Sequence, residues 1–205
     1  PKLLAAGRKV AICEQVEDPR KAKGIVKREV VRVITPGVVL DERVLERGTN
    51  NFLAAVRRLP GSEAVGLAWV DASTGERRVA TVDGIDRAVS ELGRIEPAEL
   101  LIDAADTALL ETIQPRLDGV VLSPMKAPAV QGELLLDAGA MVDAYLSDTQ
   151  KAGVLPLQPL LTEDLDASLR LGAETVRNLE LLRTLADGRR KGSLLGLVDQ
   201  TRTAM

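Results

Sequence analysis

Short runs of alternating apolar and polar residues fill the first part of the chain and predict β-strands. Two such runs cover residues 9–17 and 26–35, and a proline follows each of them closely. On a two-residue period the second run places four side chains on one face of its strand: Arg28, Val30, Arg32 and Ile34. The two arginines on this face would lie about 13 Å apart at the usual strand rise.

Strands and helices then alternate along the middle of the chain. Strands are predicted over residues 52–59, 64–72, 76–82, 99–103 and 119–123. A helix capped by Asp83 carries Ile85, Val89 and Leu92 at helical spacing, and a second helix is predicted over residues 107–114. Because an antiparallel hairpin precedes the strand–helix alternation, the pattern predicts an α/β sheet of mixed direction with helices on its faces.

The remaining patterns predict a linker and three helices. Residues 38–51 are polar without a strong period, which is typical of a linker. Apolar residues at helical spacing predict helices over residues 133–151, from residue 174 to a close at residues 187 and 188, and over residues 193–200. Within the strands, Cys13 is predicted to be a small core residue. Trp69 shares a strand face with Leu67 and Asp71 and is predicted to pack in the sheet.

Composition excludes several classes of site. With one cysteine and no histidine, the chain cannot form an internal disulfide, a zinc site of the usual kind or a Ser–His or Cys–His nucleophile pair. A single cysteine fits a reducing cytoplasm. No apolar run approaches the roughly 18 residues of a membrane span, so no membrane partner is expected. The chain opens on Pro1 and runs to Met205 without a stop signal, so we expect a piece of a longer protein.

Charge is concentrated in the first 36 residues. They hold nine Lys and Arg against four Asp and Glu, a net +5; this leaves 18 bases and 26 acids, a net −8, for the remainder of a chain with net charge −3. Such asymmetry indicates an anionic partner for the N-terminal part. A solvated basic face explains the charge alone equally well.

Two short motifs have both a chemical and an ordinary interpretation. Residues 188–192 resemble a phosphate loop, but three residues instead of four separate the glycines and Ser193 follows where a lysine is required, so a turn at a helix end is the better interpretation. Asp71 ends a hairpin strand where ribonuclease-H-like folds place a metal-binding carboxylate, and Asp103 could be a second ligand for two metal ions about 4 Å apart. Aspartate before a Ser-Thr-Gly turn is also ordinary turn chemistry.

Longer blocks of sequence resemble the bacterial MutS family. Residues 7–19 (GRKVAICEQVEDP), Lys23 with Gly24, and residues 28–37 (REVVRVITPG) are similar to the end of its mismatch-binding domain. Further blocks follow the family in order: residues 68–75 (AWVDASTG), 91–101 (ELGRIEPAELL), 177–181 (RNLEL), 188–195 (GRRKGSLL) and 201–205 (TRTAM). The resemblance therefore spans nearly the whole chain.

The resemblance implies a domain organisation. Residues 1–36 would be the C-terminal part of a mismatch-binding α/β domain, and residues 37–50 would be a linker. Residues 51–155 would form a connector domain with a ribonuclease-H-like mixed sheet and flanking helices but no nuclease activity. Residues 156–205 would be the start of an all-α lever and core domain. The alternative function is a metal-dependent nuclease that uses Asp71 and Asp103. The family's Phe-x-Glu mismatch wedge has no counterpart, since Phe52 lies in a different context.

The resemblance also implies partners. The full-length parent would bind mismatched duplex DNA, contact MutL, form a homodimer in the bacterial cytoplasm at the nucleoid, and use ATP and Mg²⁺ at a site outside this segment. The segment itself would be non-catalytic, with no cofactor and no metal. Basic side chains on one loop and its following strand are the candidates for DNA-backbone contact: Lys21, Lys23, Lys27, Arg28 and Arg32.

One stretch departs from the family pattern. Between residues 122 and 134 the chain is shorter than in the family and lacks an aromatic-containing helix. We predict that consecutive Cα atoms within residues 123–133 lie well beyond the ~3.8 Å of a trans peptide because a segment is missing there. Gly172 stands where the family usually has aspartate before a helix, a change of little expected consequence because glycine is an acceptable cap.

Overall fold

Two sheets organise the fold in a computed structural model that describes residues 2–18, 24–40, 50–59, 61–130, 132–151, 153, 155–167, 171 and 173–201. A two-stranded antiparallel ribbon lies near the N-terminus, and a six-stranded mixed sheet forms the centre. The predicted mixed α/β sheet with flanking helices is confirmed. No helix within these residues combines the length and the apolar character needed to cross a membrane.

The ribbon pairs strand β1 (Val10–Gln15) with strand β2 (Arg28–Ile34), after a short helix α1 (Lys2–Ala5). Its register shifts at the centre: Ile12 faces Arg32, Cys13 faces Val30, and one extra residue of β2 forms a bulge. Because side chains alternate across a strand, one extra residue inverts the alternation beyond it. The prediction that Arg28 and Arg32 share one face is therefore wrong, and the two lie on opposite faces of the ribbon.

The ribbon is too small to bury both of its faces. Cys13 is exposed, which corrects the prediction that it is a core residue. Val30, its cross-strand partner, is also exposed, because nothing in the described residues covers this face of the two-stranded ribbon. A lone pair of strands has no second layer against which both faces can pack.

The six-stranded sheet has the strand order β7-β6-β3-β4-β5-β8. Strands β3, β4 and β5 form an antiparallel meander, β6 adds parallel to β3, β7 adds parallel to β6, and β8 adds parallel to β5. Their bounds are Phe52–Arg58 (β3), Ala64–Asp71 (β4), Arg77–Asp83 (β5), Glu99–Asp103 (β6), Val121–Met125 (β7) and Leu160–Thr162 (β8). Strand β8 lies in the segment predicted to be all-α, and its three residues are too few for a visible alternation in the sequence.

Both faces of the large sheet are covered by apolar residues. One face packs against helices α2 (Ile85–Ile95) and α3 (Thr107–Ile113) and includes Trp69, whose predicted burial is confirmed. The other face packs against helix α4 (Leu134–Thr149). Helix α2 starts one residue later than predicted, because Gly84 is its N-cap and Asp83 still belongs to β5.

Three further boundaries differ from the prediction. Helix α3 does not stop before Pro115 but continues into a 3₁₀ turn, Gln114–Arg116, and β7 begins two residues later than expected. Val38 and Val39 are buried, so the chain leaves the core only after the start of the predicted linker. Residues 41–49 of that linker, and Gly172, lie outside the described residues. The structure does not test whether a segment is missing within residues 123–133, so the gap stays a prediction.

The predicted long helix after residue 174 is wrong. Helix α5 covers Ala173–Asn178 only, Glu180 adopts a left-handed backbone with φ of 48°, and turns lead to helix α6 (Leu194–Val198). Leu179, Leu182 and Leu185 are exposed. An apolar stripe stabilises a helix only where it packs against another surface, and the described residues provide none here. Residues 188–192 consequently follow a turn and not a helix end.

Candidate nucleic-acid interface

The basic residues of the ribbon are the candidate interface. Arg28 and Arg32 are exposed on β2, and Lys27 is exposed directly before it. Lys21 and Lys23 lie outside the described residues. Since the bulge directs Arg28 and Arg32 to opposite faces, one flat phosphate-binding face is not formed by these two side chains. The two side chains can contact the same DNA backbone only if that backbone passes along the edge of the ribbon.

Lys27 already has an anionic partner within the ribbon. Its Nζ atom lies 2.6 Å from Oε1 of Glu29. The hydrogen bond and the charge of each partner raise the pKa of Lys27 and lower the pKa of Glu29. Both side chains are exposed, so solvent screens the pair. The charge of Lys27 is therefore already paired with that of Glu29 in the ribbon.

A buried carboxylate attaches the ribbon to the large sheet. Glu99 is the first residue of β6 and is 0% exposed. Its Oε1 atom accepts hydrogen bonds from Tyr145 Oη at 2.6 Å and Ser123 Oγ at 2.5 Å, and it lies 3.5 Å from Lys9 Nζ. Its Oε2 atom accepts a hydrogen bond from the backbone N–H of Gly37 at 3.0 Å. All four partners are donors, as an acceptor-only carboxylate requires.

The turn that contacts Glu99 depends on a glycine. The N–H of Val38 donates to the carbonyl of Thr35 at 3.0 Å, so residues 35–38 form a tight turn. A Cβ atom on Gly37 would lie 2.8 Å from Cβ of Glu99 and 3.0 Å from Cβ of Leu53. Because β-carbons do not approach this closely, only glycine lets the turn reach the carboxylate.

Neutral contacts support the same junction. Nε2 of Gln150, at the end of α4, donates to the carbonyl of Val33 at 3.2 Å, and Nδ2 of Asn51 donates to the carbonyl of Pro36 at 3.0 Å. The ammonium of Lys9 also lies 5.1 Å from the centre of the Tyr145 ring, within the range of a cation–π interaction. The ribbon is therefore held at the amino end of β6 and the last turns of α4.

The phenol of Tyr145 is shifted by this environment. Burial raises its pKa, and the hydrogen bond and negative charge of Glu99 raise it further. Ionisation would place two negative charges 2.6 Å apart in a buried site. Tyr145 therefore remains a hydrogen-bond donor to Glu99 at neutral pH.

The two aspartates proposed as metal ligands lie at opposite ends of the sheet. Asp71 pairs with Phe52 at the start of β3, whereas Asp103 lies near the end of β3, where its Oδ2 atom is 2.5 Å from Nη1 of Arg57. Phe52 and Arg57 are five residue steps apart along β3, which is about 16 Å. Two metal ions about 4 Å apart cannot use both carboxylates. The geometry contradicts the nuclease alternative.

Local hydrogen bonds account for Asp71 itself. Its Oδ1 atom accepts from the N–H of Ser73 at 2.9 Å and from Ser73 Oγ at 2.6 Å, which is the ordinary turn chemistry of aspartate. Among the residues the structure describes, no cluster of three or more Cys, Asp or Glu side chains is arranged to hold a metal ion. These residues do not fit a divalent-metal centre.

Sequence reasoning missed Glu99, the most connected polar residue of the junction. The available signal was a charged residue directly before three apolar residues, Leu-Leu-Ile, in a strand that follows Pro97 and Ala98. A charge inside a buried strand needs partners, so this position indicates a buried polar contact. The partners could not be identified from the sequence, because Lys9, Gly37, Ser123 and Tyr145 come from four distant segments.

Comparisons with known proteins give the family. The model of MutS domain I matches residues 1–43, and the model of MutS domain II matches residues 51–129. Three proteins named DNA mismatch repair protein MutS are similar to this chain. The one from Syntrophomonas wolfei is 38% identical over 100% of this chain and 27% of its own length, and the one from Myxococcus xanthus is 41% identical over 100% of this chain and 26% of its own length. The one from Thermosynechococcus vestitus is 39% identical over 99% of this chain and 27% of its own length. The chain thus spans about a quarter of their length, and it belongs to the MutS family.

Proposed function

We propose that this chain is a segment of a DNA mismatch repair protein that recognises mispaired and unpaired bases in duplex DNA and couples recognition to ATP. Within that protein the segment is a connector between mismatch-binding, lever and ATPase parts. The observation that carries the proposal is the succession of MutS domain I and domain II along one chain. Relatives of that name cover the whole chain at similar identity.

The junction at Glu99 supports a mechanical role. The N-terminal ribbon and the six-stranded sheet meet through a buried carboxylate, a tight turn and the end of α4. A buried carboxylate with several hydrogen-bond donors favours the one arrangement that keeps these partners in place. A connector needs such a defined attachment, because a change in one part is transmitted only if the next part cannot move independently.

The strand order supports a ribonuclease-H-like sheet for the connector. An antiparallel meander, β3 to β5, is followed by two parallel strands, β6 and β7, on the other side of β3. The separation of Asp71 from Asp103 supports a non-catalytic version of that fold. The segment then needs no cofactor, while ATP and Mg²⁺ belong to the ATPase part of the full-length parent.

The ribbon is proposed to contact the DNA backbone. Arg28 and Arg32 are exposed guanidinium groups, and Lys27 adds a third charge once it leaves Glu29. Phosphate contacts position a protein on a duplex but carry no information about a mispair. Contact with MutL, a homodimer of the full-length parent, and a bacterial cytoplasmic location at the nucleoid complete the proposed function.

A plasmid-nicking assay tests whether the segment is catalytic. The purified chain is incubated with supercoiled plasmid with and without Mg²⁺, beside Asp71→Asn, Asp103→Asn and the exposed control Asp118→Asn. We expect no metal-dependent nicking by any of the four proteins. Nicking that requires Mg²⁺ and is lost in Asp71→Asn but retained in Asp118→Asn would show a nuclease and refute the connector role.

The gene on both sides of this segment gives an independent test. The proposed function expects an upstream Phe-x-Glu motif, which would supply the mismatch wedge, and a downstream phosphate loop, which would supply the ATP site. An open reading frame that carries neither motif would contradict the proposed parent protein, whatever the segment itself binds.

A further inference from the structure

We propose that Glu99 is a positioning residue: its buried carboxylate, through Lys9 and Gly37, sets the orientation of the β1–β2 ribbon relative to the six-stranded sheet. The fold itself does not need a charge at this point. Every other residue of β6 up to Ile102 is apolar and buried. A carboxylate in this strand therefore serves the groups that surround it, and two of these groups belong to the N-terminal segment.

The partners of Glu99 divide into two sets. Ser123 on β7 and Tyr145 on α4 belong to the large sheet and its helix. Lys9 directly precedes β1 and Gly37 follows β2, and Val10 pairs with Ile34, so these two partners contact the carboxylate from the same end of the ribbon, one from each strand. One side chain thereby bridges the sheet and both strands of the ribbon at that end, and a rotation of the ribbon would break at least one of these contacts.

The burial of Glu99 makes the loss of its ionic contact with Lys9 unfavourable. Glu99 has no exposed surface, whereas the side chain of Lys9 is 44% exposed. A buried charge whose partner is removed is strongly unfavourable, because neither water nor another charge replaces it. Lys9 is the ion-pair partner of Glu99 among the described residues. A ribbon that moved away would leave the carboxylate without its counter-ion, so the resting orientation is favoured.

The remaining hydrogen bonds between the ribbon and the large sheet with its helix are neutral and directed at backbone carbonyls. Gln150 and Asn51 donate to Val33 and Pro36. A neutral hydrogen bond makes only a small net contribution to stability. These contacts hold the ribbon near the sheet but define its angle weakly. The ionic contact at Glu99 is the one that penalises a change of angle.

The sequence supplies the probes for a direct measurement. Trp69 is the one tryptophan and Cys13 the one cysteine of the chain. Trp69 is buried in the large sheet, and Cys13 is exposed on the ribbon. Energy transfer from Trp69 to an acceptor dye on Cys13 therefore reports the distance between sheet and ribbon, without any engineered residue. Time-resolved Trp69 emission also gives the width of the distance distribution.

The variants are chosen to remove charge and keep volume. Glu99→Gln replaces the carboxylate by an amide, and Lys9→Met keeps an apolar stem without the ammonium. Glu111→Gln on α3 and Lys126→Met after β7 are the matched controls, since both residues are exposed. Circular dichroism and the emission of the unlabelled proteins establish that each variant retains the large sheet.

We expect Lys9→Met and Glu99→Gln to shift or broaden the Trp69–Cys13 distance distribution while the controls match the parent chain. In the double variant the Lys9→Met effect disappears, because its partner charge is already absent. A distribution unchanged in Lys9→Met, with the sheet intact, would overturn the proposal. Lys9→Met alone decides the outcome if Glu99→Gln does not fold, because Lys9 is half-exposed.

The consequence for DNA rests on the proposed function. If the ribbon contacts phosphates, a loosened ribbon binds duplex DNA several-fold more weakly, with an unchanged slope of log affinity against log salt, because no phosphate contact is removed. A slope reduced by about 0.9 in Lys9→Met would instead identify Lys9 as a phosphate ligand. Failure of the parent chain to bind DNA refutes the proposed DNA contact and leaves the energy-transfer result intact.

Discussion

The hydroxyl of Tyr145 donates a 2.6 Å hydrogen bond to the buried carboxylate of Glu99. This contact joins the last turns of α4 to the first residue of β6, at the point where the N-terminal ribbon meets the large sheet. The residues that define the junction are therefore a donor that must stay protonated and an acceptor that has no access to water. The ionisation of Tyr145 therefore reports whether this junction is intact.

Tyr145 is predicted to resist ionisation in the folded chain. Burial and Glu99 raise the pKa of its phenol above the ordinary value of about 10. Since the folded pKa exceeds the unfolded one, the protonated phenol contributes stability that is complete below about pH 10 and is lost as the pH rises through the folded pKa. Alkaline titration of tyrosinate absorbance checks this directly, because Tyr145 is the one tyrosine of the chain.

The control for that titration is the same chain in denaturant, which should titrate near pH 10. In native buffer the tyrosinate signal should appear only at higher pH, together with loss of the native Trp69 emission. Ionisation near pH 10 with the native emission retained would mean that Tyr145 is accessible to solvent and that the Glu99 junction is open.

Gly37→Ala is predicted to destabilise the fold by about 1–3 kcal/mol, because the new methyl group overpacks a closed turn. Its Cβ atom would lie 2.8 Å from Cβ of Glu99, which belongs to a rigid strand and cannot yield easily. Gly153→Ala is the matched control, since no heavy atom lies within 4 Å of its added Cβ. Urea unfolding monitored by Trp69 emission gives both values, and equal stability of the two variants would contradict the close approach.

Leu92→Ala is predicted to lower the free energy of unfolding by about 2–5 kcal/mol, the cost of a cavity in a closed core. Leu92 is fully buried on α2 against the face of the sheet that contains Trp69. Leu185→Ala, at a position 58% exposed, should change stability by no more than about 0.5 kcal/mol. A cost at Leu185 as large as that at Leu92 would show that the exposed leucine packs within this chain.

Glu29→Gln is predicted to strengthen binding to any duplex. Lys27 loses its ion-pair partner and becomes available to a phosphate, so the slope of log affinity against log salt should steepen by up to about 0.9. Glu111→Gln removes the same charge from α3 and should leave the slope unchanged. Equal slopes for the parent chain and Glu29→Gln would show that Lys27 makes no phosphate contact in the complex.

The element types of the large sheet could be predicted because local patterns determine them. Strands β3 to β6 alternate or are continuously apolar, turn residues separate them, and α4 has a wide apolar stripe. The helix predicted beyond Asn178 failed for the opposite reason: its leucines have the right spacing but lack a surface to pack against. Periodicity indicates which face would be buried and not whether a partner is present.

The candidate site was less predictable, since it depends on register and on distant contacts. A single extra residue in β2 moves Arg28 and Arg32 to opposite faces, and no turn signal marks that bulge in the sequence. Asp71 and Asp103 both end strands, but β4 runs antiparallel to β3 and β6 runs parallel to it, so the two aspartates lie at opposite ends of the strands. Strand direction, which determines whether carboxylates converge, comes from the tertiary fold.

Binding of this chain to paired and mispaired duplexes of otherwise identical sequence tests its role most directly. The ribbon carries the exposed basic side chains that we propose as phosphate contacts, and its strands contain no aromatic residue that could offset the cost of unstacking a mispair. We predict weak binding that is equal for the two duplexes. The slope of log affinity against log salt should be about −0.9 for each phosphate neutralised. The double variant Arg28→Ala, Arg32→Ala should lose the same amount of affinity for both duplexes. A preference of roughly tenfold or more for the mispaired duplex, about 1.4 kcal/mol, would contradict a connector segment that positions DNA without reading it.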